Sequence, residues 1–344
     1  MIRLSPKDIL LRPIDLVGRL RGLSRLNPKY IPLLATAIVL VAVFTTGSVL
    51  YPNFGTPRVF VNLLNDNAFV GVAAIGESFV ILSGGIDLSV GSMVAFVGIL
   101  IARLLQTGCD PFLAMGIALC AGTVAGAIMG CLIHFFEMPP FLVTLAGLFC
   151  LRGLGFIIYP ESIGIDHPFY GVVLPQLSIL VAPKAVLPFT AMCFLASVLV
   201  GTLIASFTRF GRNVYAIGSN ENSARLMGLP VGQTKILTYA LAGFFSAAGG
   251  VVATFYMQSG NPASFVGLEL DAIASVVIGG TLLTGGVGFI PGTLMGVLIL
   301  GLIQTLINFN GTLNSWWTKI VIGVLLLIFI VLQKLISRRA VTQL

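Results

Sequence analysis

Residues 67–106 read NAFVGVAAIGESFVILSGGIDLSVGSMVAFVGILIARLLQ, two apolar runs joined by a glycine-rich break. The runs, near 67–83 and 88–106, each have the length and composition of a candidate membrane span. Asp87 lies in the break between them, and a carboxylate at bilayer depth costs about 2.5–3.5 kcal/mol on insertion scales. The stretch therefore predicts two membrane helices connected by a break that carries an acidic side chain.

The rest of the chain has the same character. Hydrophobic residues make up 57% of the 344 residues and charged residues only 9%, with a mean hydropathy of +1.04. A soluble domain usually has about 25% charged residues, so this chain has too few charges to cover a globular surface. The sequence therefore predicts an all-α, polytopic membrane protein. Its apolar runs give about ten candidate spans, near 32–50, 67–83, 88–106, 111–133, 140–158, 185–206, 235–257, 271–286, 289–308 and 314–333.

The net charge of +7 indicates topology rather than nucleic-acid binding. Of the 19 Lys and Arg, 14 lie in residues 1–30, 207–235 and 334–339, which successive spans place on one side of the membrane. Because cytoplasmic loops carry an excess of Lys and Arg, both termini are predicted to be cytoplasmic. We expect contact with lipid headgroups and no nucleic-acid partner.

The domain organisation is predicted to be simple. Residues 31–335 form one membrane domain, since no polar stretch is long enough for a separate soluble domain. Before it, residues 1–30 carry leucines at helical spacing, which favours an amphipathic helix on the inner leaflet; a solvated basic tail is the alternative. After it, residues 336–344 form a cytoplasmic tail. Two connections are long, an outer one at 159–184 and an inner one at 207–234.

Two glycine-rich stretches in the two halves of the chain resemble each other. They are SGGIDLSVGSMVAFVG at 83–98 and IGGTLLTGGVGFIPGTLMG at 278–296. Paired interrupted segments are typical of transporters with an internal pseudo-repeat, whose pathway lies near the breaks. Chance similarity between glycine-rich segments is the alternative.

Three polar residues of the opening stretch are candidates for a transport pathway. Glu77 lies well inside the first apolar run and Asn67 at its outer mouth, and an intramembrane ionisable side chain marks a functional site by default. Arg152 in a later span is a candidate partner for Glu77, and a buried pair that locks two helices is the structural alternative. Asp87 either lines the pathway or is the N-terminal charge of the next helix in a cytoplasmic turn, with Ser89 capping that helix.

A regular glycine pattern predicts close helix packing. Gly122, Gly126 and Gly130 recur at four-residue spacing within one span. On a helix these positions share one face and form a groove that another backbone can approach. The pattern indicates a structural role and carries no information on the substrate.

The inner connection contains a short helix with defined ends. In GSNENSARLMGL, residues 218–229, Ser219 or Asn220 is the predicted N-cap and Gly228 the C-terminal stop. The apolar Leu226 and Met227 have no partner within the loop, so the helix either lies on the membrane or inserts into a groove of a cytoplasmic partner. The residues predicted to take part in this docking are Glu221, Ala224, Arg225, Leu226, Met227 and Gly228.

The sequence lacks motifs for nucleotide, metal or catalytic chemistry. It contains no GxxxxGK[ST] motif, which excludes ATP binding in a P-loop of this chain. Its two histidines, His134 and His167, are assigned to opposite sides of the membrane, and its five cysteines have no metal-ligand spacing. We expect no cofactor, no metal and no catalytic residue. Two classes stay open: a subunit of a larger transporter, and a stand-alone secondary transporter or channel for a small polar solute with Glu77 as coupling site.

In SGGIDLSVGS, residues 83–92, the chain resembles the permease subunits of bacterial sugar-importing ABC transporters of the ribose, arabinose and xylose type. The resemblance covers roughly residues 55–335. Its other stretches are PPFLVTLAGLFCLRG at 139–153, TRFGRNVYAIGSNENSARLMG at 208–228 and LELDAIASVVIGGTLLTGGVG at 268–288. Within the family the likeness is to galactofuranose permeases, through NLLNDNAFVGVAAIGESFVILSGG, SIGIDHPFY and FNGTLNSWWTKIVIGVLLLIFIVLQ.

The resemblance implies an importer of a monosaccharide, galactofuranose, in the bacterial inner membrane. It implies a heterodimer with a second permease, separate cytoplasmic ATPase subunits that hydrolyse ATP, and a periplasmic sugar-binding protein; this chain itself would not be an enzyme. The family's coupling helix falls on residues 221–228. Asp271, within the last family stretch, joins Asn67, Glu77 and Asp87 as the candidate pathway residues. The N-terminal extension of about 30 residues is longer than the family leads us to expect.

Overall fold

The computed structural model of the chain describes residues 31–183, 185–311 and 316–341. The amphipathic segment predicted at 1–30 lies outside the described residues, as do residues 342–344 of the predicted tail. Residues 336–341 of that tail continue the last helix rather than leaving it.

The described residues are mostly helical, as predicted. The α-helices are α1 (Ile31–Leu50), α2 (Pro57–Asp66), α3 (Ala68–Leu82), α4 (Val90–Gln106), α5 (Pro111–Phe135), α6 (Pro140–Ile158), α7 (Leu174–Gln176), α8 (Phe189–Phe207), α9 (Arg209–Ser219), α10 (Glu221–Leu226), α11 (Val231–Met257), α12 (Leu268–Ile278), α13 (Ile290–Asn310) and α14 (Trp316–Val341), and a π-helix (Phe169–Val173) leads into α7. The strands are β1 (Ile163–Gly164), β2 (Ile179–Ala182), β3 (Ala185–Leu187) and β4 (Ser259–Gly260).

Each of the ten predicted spans contains a helix, but the helices differ in length. Within the described residues, six are long and apolar enough to cross a membrane: α1, α5, α6, α8, α11 and α13. The pair α2 and α3, bent by 58°, makes a seventh if it is one span. α4 and the apolar part of α14 are shorter. α12, with 11 residues, extends over only about 16 Å of a hydrocarbon core roughly 30 Å thick.

Glycine conformation explains why α12 is short. The predicted span 271–286 is wrong beyond Ile278, where the helix ends. Gly280, Gly285 and Gly286 then adopt φ of +94°, +83° and +75°. A side chain with a Cβ atom rarely adopts this left-handed backbone, so these glycines set the path of the chain between α12 and α13.

The two stretches that resemble each other in sequence lie against each other in the fold. The Gly286 N–H donates to the Leu82 carbonyl at 2.9 Å, and Gly285 lies against the backbone of Gly84. Gly218, at the end of α9, packs on both breaks, because a methyl group there would overlap the Leu82 carbonyl oxygen and lie 2.6 Å from the Gly286 nitrogen. We call this contact of Gly84, Gly218, Gly285 and Gly286 the glycine junction.

α11 is the central helix of the bundle. It has 27 residues and packs on α3, α4 and α5. Gly122, Gly126 and Gly130 of α5 face it: a methyl group on Gly126 would overlap the Tyr239 carbonyl, and one on Gly122 would lie 2.5 Å from Cβ of Ala247. Small side chains permit this close approach of two helix backbones, which is the geometry that the predicted packing role requires.

The connections depart from the all-α prediction. β1 pairs with β4 and β2 with β3, both antiparallel, so the predicted span at 185–206 begins as a strand and becomes helical only at Phe189. These short pairs satisfy backbone N–H and C=O groups that no helix satisfies there. The inner connection, 207–234, is more helical than expected because it contains α9 as well as α10.

The two ends of the bundle are named here by their connections. The α10 face carries α9, α10 and the start of α11, and the hairpin face carries the β2–β3 hairpin and the end of α11. The charge distribution predicts that the α10 face is cytoplasmic, and this stays a prediction.

Candidate functional site

A cavity of about 420 Å³ lies at the hairpin-face ends of α3, α11, α12 and α13. We call it the polar pocket. Its lining includes the polar side chains Asp66, Asn67, Asp271, Gln304, Thr305 and Asn308 and the aromatic side chains Phe69, Tyr256 and Phe265. Of the four predicted pathway residues, only Asn67 and Asp271 are in this lining. Of the other polar and aromatic lining residues, Gln304, Thr305 and Asn308 come from α13, and the rest come from α2, α3, α11 and the connection before α12; no sequence motif connects them.

Asn67 is positioned by the bend between α2 and α3. It is the one residue between the two helices, and its Nδ2 donates to the Leu63 carbonyl at 2.8 Å. A Cβ atom on Gly301 of α13 would overlap the Asn67 amide. The glycine therefore leaves the room in which the Asn67 side chain sits at the pocket wall.

An aromatic wall forms one side of the polar pocket. The ring centroids of Phe69 and Phe265 are 5.4 Å apart, and those of Phe69 and Tyr256 are 6.1 Å apart. The Tyr256 hydroxyl donates to Asp66 Oδ1 at 3.1 Å. Phe265 has φ of +63°, a backbone conformation that is uncommon for a bulky residue. Such conformations cluster at functional sites. Apolar faces and hydrogen-bonding groups therefore converge on one cavity.

Asp271 is already paired at the edge of this pocket. Lys319 Nζ of α14 donates to its two carboxylate oxygens at 2.8 and 2.7 Å. Both side chains are partly exposed, so the pair contributes little stability, of the order of 0–1 kcal/mol. Its effect on the pocket is to neutralise one carboxylate and to connect α12 to α14.

Glu77 and Asp87 lie together in the buried interior and do not line the polar pocket. Their side chains are 0% and 1% exposed. The Asp87 N–H donates to Glu77 Oε1 at 3.3 Å, and the Ser89 N–H and Oγ–H donate to Asp87 Oδ1 at 2.8 and 2.6 Å. The four predicted pathway residues thus form two separate groups, one in the pocket and one in the interior.

The predicted contacts of Arg152 and Ser89 are wrong. Arg152 Nη1 donates to the carbonyls of Pro262 and Ser264 at 2.6 and 2.5 Å, so it holds the connection between α11 and α12 and does not pair with Glu77. Ser89 does precede α4, but its hydroxyl donates to Asp87 and accepts no helix N–H. Arg152 finds its acceptors in a distant segment, which the linear sequence does not reveal, whereas Ser89 donates to a carboxylate two residues earlier in the same break.

The ends and the exposed face of α10 are as predicted. Asn220 is the N-cap, with its Oδ1 accepting from the Ser223 N–H at 2.8 Å, and Gly228 ends the segment with φ of +76°. Leu226 and Met227 are 89% and 69% exposed, whereas Ala224 is buried. The helix is therefore anchored on one side and presents two apolar side chains outward on the other.

Ion pairs fix α10 against the start of α11. Lys235 Nζ lies 2.7 Å from Glu221 Oε2, and Arg225 lies 3.4 Å from Glu221 Oε1. A cavity of about 820 Å³ lies beside the helix, bounded by the connection between α5 and α6 and by the start of α11. Its lining includes Glu137 and the three charged residues just named. The α10 face thus combines exposed apolar side chains with a charged hollow.

A model of the family described as branched-chain amino acid transport system / permease component matches residues 59–330, most of the chain. The chain belongs to this permease family. The match contains the bend at Asn67, the glycine junction, α10 and the polar pocket, so the parts of the fold described above are those of a transport permease. No solved structure matches the chain.

Curated proteins similar to this permease are themselves permeases by name. The inner membrane ABC transporter permease protein YjfF of Escherichia coli (strain K12) is 49% identical over 89% of this chain and 92% of its own length. The fructose import permease protein FruG of Bifidobacterium longum (strain NCC 2705) is 37% identical over 90% and 92%. The ribose import permease protein RbsC of Bacillus subtilis (strain 168) is 37% identical over 88% and 92%.

Proposed function

We propose that this permease is the membrane-spanning subunit of a bacterial inner-membrane ABC importer that carries a monosaccharide, with galactofuranose as the sugar. The observation that carries the proposal is the polar pocket, in which an aromatic wall faces amide, hydroxyl and carboxyl groups. Two relatives named for fructose and ribose import support a sugar, and the resemblance in three stretches of sequence supports galactofuranose.

The pocket chemistry favours a neutral polyol over an amino acid. Its volume of about 420 Å³ is within the range of small-molecule sites. A sugar requires hydrogen-bonding groups for its hydroxyls and an apolar surface for its C–H faces, and the pocket supplies both. None of the described residues that line it is Lys, Arg or His, and Lys319 at its edge is already paired with Asp271, so an amino acid's carboxylate would find no free counter-charge there.

The energy for transport is supplied by separate ATPase subunits that dock on α10. In this proposal the exposed Leu226 and Met227 enter a groove of the ATPase, and closure of the ATPase subunits displaces α10. The glycine junction connects that movement to the membrane, because Gly218 lies three residues before α10 and packs on both helix breaks. A rigid-body shift of the breaks then opens the pathway alternately to the two sides.

The remaining partners of the importer follow from the family resemblance. A second permease completes a heterodimer in the membrane, and a periplasmic binding protein delivers the sugar to the hairpin face. The proposal requires no cofactor and no chemistry on this chain.

A stand-alone secondary transporter with Glu77 as its coupling site is the second candidate. Glu77 is a buried intramembrane carboxylate, which is what such a mechanism uses. It does not line the polar pocket, however, so the substrate and the coupling group would lie apart. Uptake by the chain alone in liposomes, driven by a proton gradient without ATP, would support this candidate.

The test of the main proposal is uptake of labelled galactofuranose by the complete importer in proteoliposomes. Gln304→Ala removes hydrogen-bonding groups from the pocket, and Thr46→Ala, an exposed polar residue of α1, is the matched control. Loss of one hydrogen bond of about 0.5–1.5 kcal/mol raises KM roughly 2- to 12-fold for the pocket variant. Equal KM for both variants and the parent protein would refute the pocket as the sugar site.

Competition experiments on the same proteoliposomes assign the substrate. An excess of unlabelled galactofuranose is expected to suppress uptake, whereas ribose, fructose and leucine are expected to leave it unchanged. Competition by ribose or fructose would keep the sugar importer and remove galactofuranose as its specific substrate. Competition by leucine would remove the sugar assignment altogether.

A further inference from the structure

We propose that Glu77, Asp87 and Tyr239 form a binding site for one small monovalent cation, a proton or a sodium ion, in the buried interior of the bundle. These three residues, called the carboxylate cluster, come from α3, from the break before α4 and from α11. The cluster is separate from the polar pocket, and the inference does not depend on which sugar is carried.

Burial is the first observation. Glu77, Asp87 and Tyr239 are 0%, 1% and 2% exposed. The ion pairs among the described residues join Glu221 to Arg225 and Lys235, and Asp271 to Lys319, so neither buried carboxylate has a Lys or Arg partner there. Two buried negative charges without a counter-charge are costly, and such groups pair, bind a metal or take up a proton.

The hydrogen bonds of the cluster are unequal. Asp87 Oδ1 accepts two short hydrogen bonds, from the N–H and the hydroxyl of Ser89. Glu77 accepts one longer bond through Oε1, while its Oε2 is buried without a hydrogen-bond partner among the described residues. Glu77 Oε2 is therefore the oxygen that lacks a proton donor or a cation.

Tyr239 supplies an independent observation. Its hydroxyl is also buried without a hydrogen-bond partner among the described residues. It lies against Gly85, where a Cβ atom would overlap it, and it interacts electrostatically with both Asp87 and Glu77. A buried tyrosine hydroxyl normally finds a partner. Here the hydroxyl lies beside the break that carries Asp87, so its oxygen is available to a cation shared with the carboxylates.

The donor set selects the type of cation. All the ligating atoms are oxygens, which suit hard cations and protons rather than transition metals. Divalent calcium usually takes 6–8 oxygen ligands, which two carboxylates and a hydroxyl do not supply. Among the described residues no third Asp, Glu, His or Cys joins Glu77 and Asp87 in a group of the kind that divalent metal ions use. One monovalent cation compensates one of the two negative charges, and the charge left on Asp87 is stabilised by the two hydrogen bonds from Ser89.

Among the described residues, the charged groups that act on Glu77 and Tyr239 belong to the cluster itself. α3 contributes Glu77, the break contributes Asp87, and α11 contributes Tyr239. From α5 and α6 the neighbours of Tyr239 are the apolar Met129 and Val143. The cation would therefore join α3, the break and α11, and so hold the break in the conformation that the glycine junction contacts.

The experiment measures the thermal unfolding midpoint, Tm, of the purified full chain in nanodiscs. In the first arm, NaCl replaces choline chloride at constant ionic strength and pH. In the second arm, the pH is raised in choline chloride alone. If sodium occupies the cluster, Tm of the parent protein rises with sodium concentration. If a proton occupies it, Tm falls as the pH rises, because the neutralising charge is lost.

The variants isolate the cluster. Glu77→Gln keeps the size of the side chain and removes one charge, so the response in the corresponding arm is lost. Tyr239→Phe keeps both charges and removes one ligand, so the half-saturating sodium concentration rises or the pH midpoint falls. Glu161→Gln, an exposed acid-to-amide change, is the control and keeps the parent response.

The outcomes are distinct. If the parent protein responds to sodium and Glu77→Gln does not, the cluster is a sodium site. If the parent protein responds only to pH and Glu77→Gln does not, the cluster is a proton site. Equal Tm responses of the parent protein and Glu77→Gln in both arms would overturn the proposal. Because the readout is Tm, a failure here leaves the proposed sugar transport unaffected.

Discussion

Replacing Leu226 and Met227 by Asp tests whether α10 docks on an ATPase. The two side chains are the exposed apolar face of a helix whose ends are fixed by Asn220 and Gly228. Because neither side chain packs in the chain's own core, the double substitution is expected to leave the fold intact. The change therefore acts on the association with the partner.

The magnitude follows from how exposed the two side chains are. Leu226 is 89% exposed and Met227 69%, so docking removes most of their surface from water. Full burial of such a side chain stabilises by about 1.5–3 kcal/mol, which gives about 2–5 kcal/mol for the two exposed fractions together. Losing the lower figure weakens binding about 30-fold. Desolvation of two new carboxylates increases the loss further.

The assay is the dissociation constant of the ATPase subunit of the same importer for the permease in nanodiscs. Leu180→Asp is the matched control, because Leu180 lies on the hairpin face and is 70% exposed. The control is expected to bind as the parent protein does. An affinity of the double variant within about threefold of the parent, less than 1 kcal/mol, would refute docking through α10.

Three further predictions concern the helix contacts. Gly126→Val forces α5 away from α11, so it should lower Tm strongly. The control Gly116→Val, on the same helix, places its side chain in open space and should leave Tm unchanged. Equal Tm values for the two variants would contradict close packing of α5 on α11. Gly218→Ala strains the glycine junction, which connects α10 to the helix breaks. We expect the assembled importer to keep its ATP hydrolysis and to lose sugar uptake. Loss of both activities in parallel would argue against a role of the glycine junction in coupling ATP hydrolysis to transport. Arg152→Met leaves two backbone carbonyls without their donor and should destabilise the folded protein by about 1–3 kcal/mol. The control Arg103→Met should change the stability little, because the hydrogen-bond partner of Arg103 is an exposed glutamine three residues away. Similar Tm values for the two variants would refute the conclusion that Arg152 holds the connection between α11 and α12.

Local features of the fold were predictable because they depend on neighbouring residues. The cap of α10 at Asn220 and its stop at Gly228 follow from hydrogen bonds and backbone angles within a few positions. The position of each apolar helix follows from the length of its apolar run. The glycine spacing in α5 indicated that a partner helix lies close, although not that the partner is α11.

Contacts between distant segments were not predictable in the same way. Arg152 was expected to pair with Glu77, but the carbonyls of residues 262 and 264, more than 100 positions away, take its hydrogen bonds. Asn67 and Asp271 share the polar pocket, while Glu77 does not, although it is closer to Asn67 in sequence. Which polar groups meet depends on how the helices cross and rotate, and hydropathy contains no such information.

The sequence by itself determined the membrane class, the helical character of the apolar runs, the short capped helix and the family, because each depends on composition or on local spacing. Only the tertiary structure decided that the two glycine-rich breaks meet at Gly218, that the polar pocket gathers residues from five helices, and that two carboxylates share the interior with Tyr239. The physical reason is that burial and hydrogen bonding act through space. A carboxylate in an apolar run identifies a costly position, and only its neighbours in the fold reveal how that cost is met.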